Sequence, residues 1–419
     1  MGVTAVVRRQ LGRWAVRRPH ALVVGAPGGT AARLAVEREL VAAGGVVSWN
    51  PADADLLITA GPLGEELRAA ADRVWAQVPG PAVRVEVTDP AAAGERLAAA
   101  VVELAGLTVA RPAAEHDAGQ PAQGGGMDPG MEHGMEHGTQ HGMEHGTQHG
   151  MEHGTQHGMD PGMDMPGGLR VADRAADRDG LRLDVLHVPL GPVLPAWPAG
   201  LLVDVEMQGD LIQSARGRLL AAGTPSPPYW SAPAADARRS GARRAAAHLD
   251  SLGRLLTVAG WDDAASQAQT VRDELLSRGD GGATSDAVAR LRRRLSGSRA
   301  LRLATDGLGV LSAADAARWD VTGPAARAVP RGGDATARWQ TWLDEAALAL
   351  ADPGSIAAEG PRGVGPGCSV ALLRAATALM AGLDVAAARI VMASLDPDPD
   401  ELAQVAQHEQ QLPARGATP

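Results

Sequence analysis

Short apolar runs alternate with helical patterns over the first part of the chain. Three of these runs have the length of buried strands and end at Gly, Pro or Asp; they lie at 21–29, 55–63 and 82–89. Between them, residues 30–45 and 65–79 repeat apolar positions every three or four residues, as amphipathic helices do. Strands that alternate with helices are typical of a parallel sheet. We therefore predict an α/β domain over residues 1–110.

The pattern changes towards the C-terminus. Apolar runs at 201–207 and 211–215 flank Gln208-Gly209-Asp210, which predicts a β-hairpin. Helical periodicity then extends over four segments, at 242–261, 287–303, 337–351 and 370–395. We therefore predict an α+β, mainly helical domain over residues 167–413.

The two domains are separated by low-complexity sequence at 111–166, for which we predict a disordered linker. A Gly in every tetrad of its Met/Glu/His/Gly repeat argues against a stable helix. Imidazole binds Ni(II), Zn(II) and Cu(II), and thioether favours Cu(I), so the repeat predicts a flexible multidentate metal site. The predicted metal ligands are His133, His137, His141, His145, His149, His153 and His157. The alternative is a repeat-expanded linker without a metal role.

Composition narrows the function classes. A chain of 419 residues is expected to form two or three domains. A net charge of −10 and an aromatic share of 2% argue against a nucleic-acid binder. No apolar run reaches the roughly 18 residues of a membrane span, and no signal peptide is evident, so we expect a cytoplasmic protein. The single cysteine, Cys368, excludes an internal disulfide and has no activating neighbour in the sequence.

A glycine-rich loop, Gly25-Ala26-Pro27-Gly28-Gly29, follows the first predicted strand. It lacks the G-x-G-x-x-G spacing of dinucleotide-binding loops, and Pro27 removes one backbone donor. All 39 basic residues are arginine, so a Walker lysine is impossible. We expect a tight strand-to-helix turn rather than a nucleotide site.

Two stretches of the first domain carry a family likeness, NPADADLLITAGPL at 50–63 and RAAADRVWAQVPGP at 68–81. They resemble the small, cluster-carrying subunit of respiratory complex I and of [NiFe] hydrogenases. The second domain resembles the large subunit of the same assemblies, which contains the quinone site in complex I. Four segments carry that second likeness in order, at 245–256, 308–327, 359–363 and 388–401. The chain thus resembles a fusion of the two subunits.

The sequence departs from the resemblance where the family has its redox ligands. Residues 26–29 and 88–90 contain no cysteine where the small subunit has cluster ligands, and Asp398 stands where a hydrogenase has its first nickel thiolate. Leu194 and Pro198 lie near the two quinone-site histidine positions. Iron–sulfur clusters need about four thiolates, so we expect neither an iron–sulfur nor a nickel–iron cofactor in this chain. At 359–363 we expect a structural turn beside the former active site.

The resemblance implies an NADH:quinone oxidoreductase or hydrogenase complex, but this chain lacks the groups for NADH oxidation or quinone reduction. We therefore predict a non-redox structural or connecting subunit. Its implied partners are antiporter-type membrane subunits, which would hold it peripherally at the inner face of the cell membrane.

Two alternatives remain open. The chain could buffer or deliver divalent metal ions through the histidine tract. It could instead be an active oxidoreductase subunit that uses clusters of partner chains.

Overall fold

A computed structural model of the chain describes residues 18–114, 171–176, 182–221, 223, 227–232, 235–279, 281–354, 360–365 and 367–411. The first domain contains a parallel sheet in the order β2-β1-β3-β4. Its strands are β1 (His20–Gly25), β2 (Val46–Val47), β3 (Leu56–Ala60) and β4 (Val83–Val87). Its helices are α1 (Thr30–Ala42), α2 (Glu65–Trp75) and α3 (Ala93–Ala114). The two-residue strand β2 was not predicted, because it is too short to give a periodic signal.

Helices cover both faces of this sheet. All five residues of β3 are buried, which explains why its sequence is a continuous apolar run. Helices α1 and α3 pack on one face through residues such as Leu40 and Leu97. Helix α2 packs on the other face, where Leu67 shares a core with Leu202 of the second domain. The sheet face under α2 is therefore part of the interface between the domains.

The second domain begins with an antiparallel sheet in the order β5-β6-β7-β8. Its strands are β5 (Val171–Ala176), β6 (Arg182–Leu190), β7 (Leu201–Gln208) and β8 (Leu211–Leu219). Strands β7 and β8 form the predicted hairpin, and Gly209 in its turn has φ 59°. This sheet shares a hydrophobic core with the helices near the C-terminus.

Helices make up most of the rest. They are α4 (Ala237–Val258), α5 (Asp262–Arg278), α6 (Gly282–Ser296), α7 (Arg299–Thr305), α8 (Ala313–Arg318), α9 (Gly323–Ala328), α10 (Ala335–Ala351), α11 (Cys368–Leu379), α12 (Val385–Leu395) and α13 (Pro399–Gln411). Each of the patterns at 287–303 and 370–395 divides into two helices. Ser298 caps α7 and Asp384 caps α12, each accepting a hydrogen bond from a backbone N–H. Helix α5 was missed.

The predicted fold class is confirmed: a parallel α/β domain followed by a mainly helical α+β domain. The predicted linker lies almost entirely outside the described residues, and the exact domain boundaries remain predictions. Within the described ranges, no helix combines the length and apolar character that a membrane crossing needs.

Candidate functional site

A cavity of about 430 Å³ lies between the two domains, beside the carboxyl end of β1. The first domain lines it with β1, the loop after β1, and α1. The second domain lines it with the 192–197 loop, Trp230, and helices α4 and α5. The order of the parallel sheet reverses between β1 and β3, and open α/β sheets bind ligands outside the strand ends at such a point. The cavity therefore has the position and size of a ligand site.

The glycine-rich loop forms the tight turn that the sequence predicts. The Gly29 N–H donates a 2.9 Å hydrogen bond to the Ala26 carbonyl. A Cβ atom at Gly29 would lie 2.5 Å from the Ala60 carbonyl oxygen, so only glycine fits between the two strand ends. The Gly28 N–H donates a 2.8 Å hydrogen bond to Oδ1 of Asp400 in the second domain. The loop thus holds a carboxylate of the chain itself.

Arg33 on α1 begins a buried ion-pair network that crosses the interface. It donates 2.8 Å and 3.2 Å hydrogen bonds to Asp250 on α4 and a 2.8 Å bond to Glu37 on α1. Arg272 on α5 donates to the same two carboxylates, at 2.7 Å to Asp250 and 2.8 Å to Glu37. Arg254 on α4 lies 3.2 Å from Asp250. We call these five residues the interface network.

Asp250 is the centre of the interface network. Burial alone would raise the pKa of Asp250, but the guanidinium groups of Arg33, Arg254 and Arg272 lower that pKa well below its usual range. The carboxylate is therefore ionised at neutral pH. Removing one partner from a buried ion pair costs about 3–5 kcal/mol, because the other charge is left uncompensated. The network fixes the relative position of the domains through α1, α4 and α5.

The DPDPDE segment at 396–401 lies on another side of the cavity. Its four carboxyl groups are all buried and belong to Asp396, Asp398, Asp400 and Glu401. Asp396 ends α12 with a left-handed backbone (φ 46°) and accepts a 2.8 Å hydrogen bond from Arg254. Nη2 of Arg362 pairs with the same carboxylate, and Nε of Arg362 donates to the Asp396 carbonyl at 2.7 Å. The interface network thus continues through Arg254 into the C-terminal segment.

Asp398 differs from Asp396 because no cationic side chain of the described residues forms an ion pair with it. Its Oδ1 accepts a 2.9 Å hydrogen bond from the Asp400 N–H, and its own N–H donates to Ser369 Oγ at 3.0 Å. Burial, with further repulsion from Asp400 and Glu401, raises the pKa of Asp398 to about 8. At neutral pH the Asp398 side chain is mostly a protonated, neutral acid.

Cys368 lies at the start of α11 and is buried. Its thiol donates a 3.0 Å hydrogen bond to Oε2 of Glu401, whose other oxygen accepts a 2.8 Å bond from Ser231. Burial and the Glu401 carboxylate raise the pKa of Cys368 to about 12. This thiol is protonated at physiological pH and is held in an acidic environment, which disfavours the thiolate that metals bind.

The loop at 191–198 forms an apolar wall of the cavity. The Gly191-Pro192 peptide bond is cis, and the Trp197 indole N–H donates a 2.9 Å hydrogen bond to the Leu201 carbonyl. Leu194, near one quinone-site histidine position of the resembled family, is a cavity-lining residue and is apolar. This wall offers shape and hydrophobic contact but no side-chain acid or base.

The donor set at this interface does not fit the clusters that the resemblance implies. Residues 26–29 are Ala, Pro, Gly and Gly, so they provide no thiolate where the resembled family has cysteines. The backbone N–H of Gly28 is already hydrogen-bonded to Asp400. Asp398 is a hard, largely protonated oxygen donor, whereas nickel–iron centres need soft thiolates. Among the described residues, no group of three or more His, Cys, Asp or Glu side chains could hold a metal ion.

The structure brings together few of the residues that the sequence singles out. The seven tract histidines, His133, His137, His141, His145, His149, His153 and His157, lie outside the described residues, so the predicted metal site stays a prediction. Gly360 and Gly363 close the expected turn, with Gly363 N–H donating to the Gly360 carbonyl at 3.2 Å. Glu359 lies outside the described residues, and Arg362 pairs with Asp396.

Sequence reasoning missed the interface network. One available signal was Asp250 in an Ala- and Leu-rich helix, where an acidic residue on a buried face requires a cationic partner. A second was the pair of i,i+4 spacings, Arg33 with Glu37 and Asp250 with Arg254. Neither signal identifies the partner across the interface, because α1 is more than 200 residues away in the sequence from the residues of α4 and α5 that it contacts.

No protein-family model matches the chain, and no curated protein matches it. Among solved structures, it is similar to a chain from the structure of the membrane-bound sulfane sulfur reductase, an archaeal respiratory membrane complex. The similarity has a TM-score of 0.40 and 16% sequence identity, and it covers 52% of this chain and 98% of that chain. A likeness at this level does not assign a family.

Proposed function

We propose that this chain is a non-redox structural subunit of a complex I-like or hydrogenase-like membrane-associated assembly. The observation that carries the proposal is the chemistry of the interface between its domains. In the loop at 26–29, where the sequence resemblance leads one to expect cluster ligands, the chain has the Gly28–Asp400 hydrogen bond, and four residues of the interface network line the adjoining cavity. These groups stabilise the interface and offer no electron carrier.

A connecting role requires that the two domains behave as one body. Arg33 and Arg272 join the domains through the buried carboxylate of Asp250 and the half-buried carboxylate of Glu37. The interface network extends through Arg254 to Asp396. Buried, charge-assisted hydrogen bonds of this kind are stronger than neutral ones and resist screening by salt. The chain can therefore hold a partner bound to one domain at a fixed distance and orientation from a partner bound to the other domain.

The partners in this proposal are antiporter-type membrane subunits of the assembly. NADH oxidation and quinone reduction, if the assembly performs them, would take place on other subunits. The chain would then lie peripherally on the inner face of the membrane through those partners.

The test is affinity purification of the tagged full chain from detergent-solubilised membranes of the source cells. We expect membrane subunits to co-purify in fixed stoichiometry, and the chain itself to contain no iron or acid-labile sulfide. Asp250→Asn should reduce co-purification, whereas the exposed Glu66→Gln should not. Stoichiometric iron and sulfide in the purified chain, or a chain that purifies without membrane partners, would contradict the proposal. A redox signal lost on deletion of this chain alone would favour the active-subunit alternative.

The histidine repeat supports a second candidate function, metal buffering or delivery. Seven imidazoles at four-residue spacing provide several alternative ligand sets for Ni(II), Zn(II) or Cu(II). Calorimetric titration of the full chain with each metal at pH 7.5 should give heat that disappears when the seven histidines are replaced by alanine. A metal-dependent growth defect caused by the same replacement would favour metal handling as the function. Equal heats for the native chain and the histidine-replaced variant would exclude the histidine repeat as the metal-binding site.

A further inference from the structure

Three buried side-chain polar atoms without a described hydrogen-bond partner belong to residues that line the cavity, and others lie elsewhere in the second domain. The three are Nη1 of Arg362, Nε of Arg254 and Oδ2 of Asp398. Arg362 is 3% exposed and Asp398 is 1% exposed, so bulk water does not satisfy these atoms. Leaving a buried polar atom unpaired destabilises the folded state, and a charged group does so more than a neutral one. Three such atoms in one region indicate that a polar group not belonging to these residues completes the site.

The positions of the paired atoms show what each side chain still offers. Arg362 uses Nε and Nη2 on Asp396, which leaves Nη1 as a free donor. Arg254 uses Nη2 on Asp250 and Asp396, which leaves Nε as a free donor. Asp398 accepts from the Asp400 N–H through Oδ1, and its protonated acid has a hydroxyl to donate. At neutral pH the site therefore offers donors and requires an acceptor.

Charge favours an anionic acceptor of low charge. The charged residues that line the cavity are Arg18, Arg33, Arg254, Arg272 and Arg362 with Glu37, Asp262, Asp273 and Asp398. Because Asp398 is mostly neutral at pH 7, guanidinium groups exceed carboxylates by two on this lining. The buried carboxylate of Asp396 pairs with both Arg254 and Arg362 and would oppose a dianion such as phosphate. A monoanion with two adjacent oxygens matches the free donors best.

The rest of the cavity is suited to an apolar body. Its apolar wall includes Leu22 and Val24 of β1 and the side chains of Val193, Leu194, Trp197 and Trp230. A volume of about 430 Å³ is at the lower end of the range for small-molecule sites. Such a wall lets a ligand bury hydrocarbon or an aromatic ring while its head group reaches the arginines.

We propose that the interdomain cavity binds a small organic monocarboxylate, with its carboxylate at Arg362 and Arg254 and its apolar part against Trp197 and Trp230. This proposal does not depend on the structural role of the chain in a membrane assembly. A connecting subunit with this site would have its domain interface stabilised by the ligand, since a ligand that binds only the folded state raises stability.

The test is isothermal titration of the purified full chain with benzoate and with octanoate, supported by thermal unfolding. Benzamide, 1-octanol and inorganic phosphate are the matched probes that lack a monocarboxylate. We expect one carboxylate per chain and a raised unfolding temperature, with binding of the matched probes weaker by about tenfold or more. Binding of benzamide or phosphate as tight as that of benzoate would overturn the assigned chemistry, and absence of carboxylate binding up to millimolar concentration would overturn the site.

Variants locate the binding. Arg254→Gln and Arg362→Gln each remove a charged donor and should weaken benzoate binding by about tenfold or more. Arg302→Gln, at an exposed arginine on α7 outside the cavity, is the matched control and should bind as the native chain does. Val193→Phe fills the cavity without removing a residue of the ion pairs. It should also weaken benzoate binding, and it tests the site if Arg362→Gln fails to fold. Unchanged affinity in both Val193→Phe and Arg254→Gln would place the ligand elsewhere and refute the proposal.

Discussion

The Gly28 N–H and the Asp400 carboxylate are joined by a 2.8 Å hydrogen bond across the domain interface, although they are 372 residues apart in the sequence. The other oxygen of Asp400 accepts a 3.3 Å bond from the Tyr229 N–H. Glycine at position 28 has φ 80°, a left-handed conformation that turns its N–H towards the second domain. The backbone N–H of Gly28, which an anion-binding turn would offer to a ligand, is therefore hydrogen-bonded to a side chain of the same protein.

Close approach at the interface predicts a selective effect of one added methyl group. A Cβ atom at Gly200 would lie 2.5 Å from Cγ of Pro27, whereas a Cβ at Gly209 would meet nothing within 4 Å. Both glycines have positive φ, 67° and 59°, so alanine brings similar backbone strain at either position. We expect Gly200→Ala to cost about 1–3 kcal/mol more than Gly209→Ala in urea unfolding. Equal losses of unfolding free energy would mean that Pro27 does not approach residue 200 so closely.

The interface network predicts a large difference between two carboxylates that both pair across the domains. Asp250→Asn leaves three guanidinium groups undercompensated in a buried site and should lower the free energy of unfolding by about 3–5 kcal/mol. Glu66→Gln removes an ion pair with Arg218 in which both side chains are more than half exposed, and should cost less than about 1 kcal/mol. Denaturant unfolding of the two variants measures both values. A small effect of Asp250→Asn would show that the network contributes little to docking.

The environment of Cys368 predicts slow thiol chemistry in the folded chain. Burial and Glu401 raise the pKa of Cys368 to about 12, so at pH 8 the thiolate fraction falls roughly a thousandfold below that of a free cysteine. Iodoacetamide should modify the native protein far more slowly than the same protein in urea. Because Cys368 is the only cysteine, mass spectrometry reads its modification directly. Equal rates with and without urea would contradict the buried placement.

The sequence predicted local structure better than it predicted the site. The run that became β3 is distinctive because a parallel strand buried on both faces is continuously apolar, whereas β4 alternates buried and exposed residues. Helix α5 gave a weak signal, since half of its buried residues are alanine and one is Arg272. The cavity depends on which side chains meet after two distant segments pack. Arg254 and Asp396 are 142 residues apart, and nothing local in either segment identifies the other as its partner.

The buried carboxyl group of Asp398 predicts that stability falls as pH rises. Its pKa is raised to about 8 in the folded chain, against an ordinary value of 3.8. Between about pH 4 and pH 8, the folded state holds a proton here that the unfolded state has released. Stability therefore decreases with increasing pH in this window, by at most about 1.4 kcal/mol per pH unit for one group, and this contribution is constant below pH 4 and above pH 8.

The substitution Asp398→Asn removes this titration while keeping the shape of the side chain. Relative to the native chain, the variant should become progressively more stable from pH 5 to pH 8, as measured by urea unfolding at fixed ionic strength. Asp384→Asn is a suitable control, because it makes the same substitution at an exposed helix cap, where Asp384 accepts a hydrogen bond from the Ala387 N–H. Asp400 also has a raised pKa, chiefly from burial, so the Asp398→Asn variant retains a decline of its own. A stability difference between native and variant that is flat from pH 5 to pH 8 would show that Asp398 is ionised in the folded protein.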